Sequence, residues 1–491
     1  MTATQQPEQP TSSEKSNVEC EEKKLLDVLS LDNLTLPVYQ RPYKWEEKNV
    51  NELFTDLNSV IEKSNQNKED YKYRYRLGSV ILFKTNNPKT NNPEYEIVDG
   101  QQRLTTLMLI IGCLNQLGCE IYNNQEQEKR IDLNKIEKFV EDSFKKGEVN
   151  QKHLSENYKL IESKIKSESK GYPEKLIKFL KKNITFVQFI VTGDKAIAFQ
   201  LFDSQNSRGK ELYPHDLLKA YHLRQIRLES YNKNYANSFV EEELDLEKFY
   251  AERWDELSSN DELSLSEFFN GYLFKLTRWL RGESANLVFK KEHIDYFKGI
   301  APNATYRFAQ REFKASPIFQ IGIPCVAGSD FFDMVFYYHR ELKAIITAFE
   351  KGADKNNPPI KEIVEIFKKY QYYGPFSYTR NLFFATMLLY FDRFSQINDR
   401  AIETIFAWSV YPRIYNDSLH FSAIDKYARQ NDSLIKLIST SVDHNKVLDN
   451  LFEYKEKIND QNDPNVGEYT VKGLKNNIIK ILKVKGEKNG Q

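Results

Sequence analysis

The sequence predicts an α+β fold, with a sheet-containing N-terminal part followed by a long helical region. Three observations carry that expectation. Tyr71 to Phe83 alternates and then becomes continuously apolar through Leu77-Gly78-Ser79-Val80-Ile81-Leu82-Phe83, as a buried strand does. Tyr95 to Val98 reads as a second short strand, and Gly100 to Leu117 as a helix with an apolar middle, giving a strand–turn–strand–helix unit. Beyond Glu229 the period is helical throughout, with aromatic faces such as Phe331 to Phe349 and Phe376 to Phe394.

Taken in order, residues 1–22 are rich in Gln, Ser and Glu and read as a disordered tail. Lys24 to Leu36 is apolar-periodic and leads into Leu36-Pro37-Val38-Tyr39-Gln40-Arg41-Pro42-Tyr43-Lys44-Trp45, where two prolines impose an extended loop. Glu46 to Ile61 places Val50, Leu53, Phe54, Leu57, Val60 and Ile61 at helical spacing. The Asn/Pro-rich stretch Thr85 to Pro93 is a turn. Residues from about 120 to 183 are Glu-, Lys- and Asn-rich with helical periodicity and read as a helical insertion, and Ile184 to Val191 is β-branched and aromatic, a further strand. The expected organisation is a tail over 1–22, an α/β domain over 23–228 and a helical domain over 229–485 that binds a partner or self-associates.

Composition narrows the function. A chain of 491 residues suits two or three domains. Mean hydropathy is polar at −0.63, yet 32 Phe and 29 Tyr supply large cores. Lys+Arg and Asp+Glu both total 70, which excludes a generally cationic nucleic-acid coat while permitting a local basic groove. No apolar h-region opens the sequence, and its longest apolar runs fall short of the roughly 20 residues of a membrane span, so a cytoplasmic protein is expected. Cys20, Cys113, Cys119 and Cys325 show no metal-ligand spacing, so no structural metal site is expected.

The strongest local signal is Ile97-Val98-Asp99-Gly100-Gln101-Gln102-Arg103-Leu104-Thr105-Thr106. A strand feeds an Asp-Gly turn and then a helix, whose N-terminal N–H groups and dipole favour an anion such as phosphate. Arg103 can add a bidentate contact to phosphate oxygens. Asp99 can hold a metal ion or position a water, and Gln101 and Gln102 can orient a nucleophilic water or read an amide-like base edge. The competing account is local: Asp99 as N-cap with Gln102 three residues on resembles a capping box. Gln40, Arg41, Tyr43 and Trp45 can wall a pocket, Arg41 on phosphate, or simply pack, with Trp45 as core anchor. In Asn206-Ser207-Arg208-Gly209-Lys210 a glycine is flanked by cations, as in a phosphate-facing loop, although a solvated loop explains it too; it is not a P-loop. Lys72, Arg74 and Arg76 alternate with tyrosines and can either contact a DNA backbone or protect a strand edge. Asp216 and Lys219 suit an i,i+3 surface pair.

Gln40-Arg41-Pro42-Tyr43 with Trp45, then Leu77 to Ile81, then Asp99 to Thr106, and later Phe202 to Lys210 with Leu212, Asp216, Leu217, Leu218 and Lys219, resemble the DUF262 family in order and spacing. That family includes the N-terminal part of GmrSD-type modification-dependent restriction systems. The resemblance implies a ParB/sulfiredoxin-like core over roughly residues 30 to 225. It also implies binding of a nucleoside triphosphate, with Mg2+ as companion ion, and hydrolysis attributed to Asp99, Gln101, Gln102 and Arg103. Arg41, Gly100, Asn206, Arg208 and Lys210 are then expected to bind the nucleotide. Tyr213 departs from the family's usual small hydroxyl residue, so the helix at Pro214 must be capped otherwise. Many members carry an HNH nuclease domain; here the best local match is Glu292-His293-Ile294 followed by Asp295-Tyr296, which lacks that pattern's continuation. The expectation is therefore a regulatory or sensor subunit of an anti-phage system acting with a nuclease or effector encoded nearby. The alternatives are a non-hydrolysing sensor of nucleotide or DNA, and a self-contained nuclease.

Overall fold

The computed structural model describes residues 17–37, 40–66, 74–86, 91–119, 148–193, 197–198, 201, 213–232, 240–260, 262–285, 288–301, 319–352, 358–370, 374–415 and 419–449. The chain forms two compact units, Met1–Leu212 and Tyr213–Gln491.

The first unit is built on strand β1 (Asn17–Lys24), helix α1 (Leu25–Leu29), the short β2 (Leu34–Thr35), α2 (Glu47–Gln66), β3 (Tyr75–Asn86), β4 (Pro93–Asp99), α3 (Gln101–Gln116), α4 (Glu148–Ser167), α5 (Tyr172–Lys182) and β5 (Ile184–Thr192). The five strands form one mixed sheet in the order β1-β5-β3-β4-β2. β3 runs parallel to β5 and antiparallel to β4. The unbroken apolar run of β3 reflects burial on both faces, not a helix. Val80 and Leu82 join Ile97, Phe186, Leu104 and Leu107 in the large core shared with the helices. Ile81 and Phe83 join Val98 and Val191 in a smaller cluster on alternate positions, with Ala198 against them.

Two expectations need correction in this unit. The tail was expected to extend to residue 22, but Asn17–Lys24 is an edge strand paired antiparallel with β5 from Asn17–Thr192 to Lys24–Thr185. Its side chains are almost all exposed, so backbone pairing rather than burial holds it, and its Glu and Lys residues shield the open edge. A sequence reading that follows apolar periodicity has nothing there to follow. Arg74 and Arg76 do not protect an edge, because β3 lies between β5 and β4. Both instead point toward Glu22 of β1, at 3.9 and 3.5 Å, and hold its carboxyl, with the Thr185 hydroxyl as the largest influence, below the usual range. Their side chains stay 63% and 60% exposed, and Lys72 lies outside the described residues.

The second unit is helical. It contains α6 (Pro214–Asn232), α7 (Val240–Ser258), and further helices over Ser329–Gly352, Gly374–Phe394 and Asp399–Tyr415. A π-helical turn at Phe269–Leu273 joins two short helices. Among its described residues the β pairing is confined to an isolated bridge between Ile300 and Val326. Trp254 of α7 packs among Phe269, Phe331, Phe332 and Phe336, which accounts for the aromatic stripes in the sequence. No helix among the described residues is long and apolar enough to cross a membrane.

The division between units falls at Leu212/Tyr213 rather than at residue 228, because α6 is anchored in the second unit. Lys219, 1% exposed, donates to both Asp255 oxygens of α7 at 2.8 and 2.9 Å. This replaces the expected surface pair with Asp216. His222 is fully buried, stacks on Phe331 at 3.7 Å, and accepts the Gly328 N–H at Nδ1. Its proton therefore sits on Nε2, which donates to the Phe297 carbonyl at 2.9 Å. The start of α6 is capped by backbone: the Tyr213 carbonyl accepts from Asp216 N–H at 2.9 Å.

Candidate functional site

The site begins with two glycines. Between Arg76 and Ser79 the pairing of β3 with β5 slips, so Leu77 and Gly78 form a bulge, and Gly78 takes φ +110°. A Cβ on Gly78 would lie 2.0 Å from Arg103 Nη1. The missing side chain is the space in which the Arg103 guanidinium lies, and that guanidinium donates to the Leu77 carbonyl at 2.8 Å. Gly100, at φ +94°, turns the chain from β4 into α3, and a Cβ there would meet Val80 Cγ2 at 3.0 Å.

Asp99 closes β4, and Arg103, one turn into α3, reaches back to it with Nη2 3.5 Å from Oδ2. Burial raises the Asp99 carboxyl above its ordinary value; the charge of Arg103, the Gly100 N–H and the charge of Arg41 oppose that rise. Arg41 therefore lies close enough to act on Asp99. It is partly buried and makes no ion pair among the described residues. The first helical bond runs from Leu104 N–H to the Gly100 carbonyl, so the N–H groups of Gln101, Gln102 and Arg103 have no acceptor within the helix. Gln101 is 5% exposed, and its amide makes no hydrogen bond among the described residues.

Gln102 behaves differently. Its Oε1 accepts the Lys44 N–H at 2.8 Å and its Nε2 donates to the Pro42 carbonyl at 3.3 Å. The capping-box expectation is overturned: the N-cap is Gly100, no side chain caps the helix, and the Gln102 amide is spent on the neighbouring loop. The reason is steric, since a left-handed glycine between Asp99 and α3 moves the cap position one residue on. Gln40 anchors the same loop from its other end, donating to the Ile97 and Val98 carbonyls at 2.9 and 2.6 Å. Beneath it, buried Tyr43 donates to Thr106 Oγ1 at 2.8 Å, while Thr106 donates to the Gln102 carbonyl. Asn157 of α4 completes the network with bonds to Tyr43 Oη and the Trp45 carbonyl.

The structure thus brings Asp99, Gly100, Gln101, Gln102, Arg103 and Arg41 together. Asn206, Arg208 and Lys210 lie outside the described residues. Sequence reasoning missed Gly78 and Asn157 as parts of this site. Asn157 was detectable as a polar residue at helical spacing between Leu154 and Ile161, on the buried stripe of α4. Among the described residues no group of three or more His, Cys, Asp or Glu side chains could hold a metal ion. His293, the local match to a nuclease base, is 7% exposed, accepts the Lys290 N–H through Nδ1 and packs on Phe274, which makes it a cap for the Lys291–Phe297 turn.

A mixed five-stranded module that presents Asp-Gly-Gln-Gln-Arg at a strand-to-helix turn, faced by an arginine from a proline-bounded loop, is the class of fold and site seen here. Residues 23–223 match the family model described as GmrSD restriction endonuclease, N-terminal domain. Residues 246–466 match DUF7834, a family of unknown function. No curated protein matches the chain. The N-terminal match points to a restriction-type phage-defence protein.

Proposed function

We propose that the Asp99–Arg103 turn, with Arg41, binds the phosphates of a nucleoside triphosphate and hydrolyses it, and that this turnover regulates a nuclease or effector carried by another chain. The observation that carries the reading is charge: two guanidinium groups act on one carboxylate at a helix N-terminus, and the carboxylate offsets only one of them. A polyanion supplies what is left over.

Each residue then has a task. Arg41 and the first N–H groups of α3 hold phosphate oxygens. Arg103, fixed between the Leu77 carbonyl and Asp99, carries a planar fork for a further oxygen. Anionic phosphate drawing on both guanidinium groups weakens their hold on Asp99, so the carboxylate becomes a better proton acceptor for an attacking water once nucleotide is bound. Gln101, buried with an unused amide, orients that water. A Mg2+ ion would arrive carried by the triphosphate with water filling its remaining positions, because Asp99 is already engaged by Arg103, the Gly100 N–H and Arg41. The capping role of His293 supports placing DNA cleavage in a partner.

Calorimetry with ATP and GTP, together with phosphate release, tests this reading. Arg103→Ala is expected to weaken binding by about 1.5–3 kcal/mol, the worth of a charged hydrogen-bonded contact. Asp99→Asn should bind but not turn over. Unchanged affinity in Arg103→Ala would remove the assignment.

A further inference from the structure

Resting on that nucleotide-site reading, we infer that Gln102 is a positioning residue, which with Gln40 holds Arg41 in register with Asp99, and not a group that meets substrate or water. The geometry is specific. Arg41 is the one residue between Gln40 and Pro42, and each of these neighbours is tied to the strand–turn–helix that carries Asp99. The Gln40 side chain grips the Ile97 and Val98 carbonyls, immediately before Asp99 in β4. The Pro42 carbonyl is gripped by Gln102, three residues beyond Asp99 at the start of α3. A primary amide offers one acceptor oxygen and one NH2 donor, and Gln102 commits both to the loop, to Lys44 N–H and to Pro42 O.

Proline adds to the constraint. Pro42 has a fixed φ, so the backbone beside Arg41 has few alternatives once both ends are held. The Tyr43–Thr106–Asn157 network fixes the next residues from below, and Thr106 donates to the backbone carbonyl of Gln102 itself. A guanidinium on a free loop would spend binding energy on ordering; here the ordering is built into the fold. The two consecutive glutamines of the motif therefore do different work. Gln101 is buried and makes no hydrogen bond among the described residues, whereas Gln102 commits both its oxygen and its nitrogen to the loop.

The test combines two readouts on the full-length protein. Hydrogen exchange at the Lys44 amide measures the clamp without reference to any ligand: Gln102→Leu should lower its protection at least tenfold, while Arg41→Ala leaves it unchanged. Calorimetry with ATP, GTP and inorganic tripolyphosphate measures the consequence. Arg41→Ala and Gln102→Leu should each weaken binding about tenfold or more, and the double variant should bind no more weakly than Arg41→Ala alone. Gln40→Leu, which frees the opposite end of the loop, should reproduce the loss and serves if Gln102→Leu does not fold. Wild-type Lys44 protection in Gln102→Leu overturns the clamp. So does wild-type affinity with abolished turnover, which would assign Gln102 to the chemistry. Wild-type affinity in Arg41→Ala, with Lys44 protection lost in Gln102→Leu, overturns the nucleotide reading and leaves the clamp standing.

Discussion

Replacing Gly78 by alanine changes one methyl group and should disturb the site through Arg103. Two costs arise. Gly78 sits at φ +110°, where an L-residue pays roughly 1–2 kcal/mol. The new Cβ would also stand 2.0 Å from Arg103 Nη1, and the soft response is for the guanidinium to move. Moving it breaks the 2.8 Å bond to the Leu77 carbonyl and the 3.5 Å pairing with Asp99. A charged hydrogen bond is worth about 1.5–3 kcal/mol, and the lower end applies because both side chains of the ion pair are about a quarter to a fifth exposed (24% and 20%). The total loss should be about 2–4 kcal/mol, read as a shift in the denaturant midpoint at unchanged slope. In an Arg103→Ala background only the backbone term remains, so the same substitution should cost about 1–2 kcal/mol there. A double-mutant cycle showing full additivity would refute the argument, because it would mean that Gly78 and Arg103 do not share the space.

Two further outcomes are expected in the second unit. Lys219→Met takes the ammonium away from both oxygens of the mostly buried Asp255 carboxylate and should cost about 3 kcal/mol, while Lys219→Met with Asp255→Leu should recover much of it; equal losses in single and double variants in urea titrations would contradict the pairing. Burial depresses His222 to about 3, so the unfolded chain takes up a proton near its ordinary value of 6.5 while the folded chain does not. The stability His222 provides is complete above pH 6.5 and falls by up to about 1.4 kcal/mol per unit as pH drops toward 3, and His222→Gln should flatten that slope between pH 6 and 4 in chemical denaturation series.

The sheet and the site turn were legible because their signals are local. Leu77–Phe83 announces a strand buried on both faces, and Asp99-Gly100 followed by an apolar run announces a strand-to-helix turn. What escaped was long-range. The polar β1 is a strand only because β5 lends it hydrogen bonds from more than 160 residues away, as in the Asn17–Thr192 pair. Gln102 looks identical to Gln101 in sequence, and only the path of the Pro42 loop separates their roles. Lys219 had a carboxylate three residues before it, yet tertiary packing supplied a better one in Asp255. Local pairing rules rank partners by spacing, and burial overrules them.

The anchoring of α6 also bears on how such proteins recombine. The N-terminal family match runs to residue 223, and the DUF7834 match starts at residue 246. A crossover placed between those borders would appear to exchange whole modules. It would in fact deliver Lys219 and His222 with one parent and their receptors Asp255, Phe297 and Gly328 with the other. Chimeras joined there inherit a lock and key from different sources, whereas a joint at Leu212/Tyr213 keeps both together. The second unit is therefore expected to be inherited with α6 attached, and grafts that respect sequence borders alone should arrive with an ammonium and an imidazole that have lost their seats.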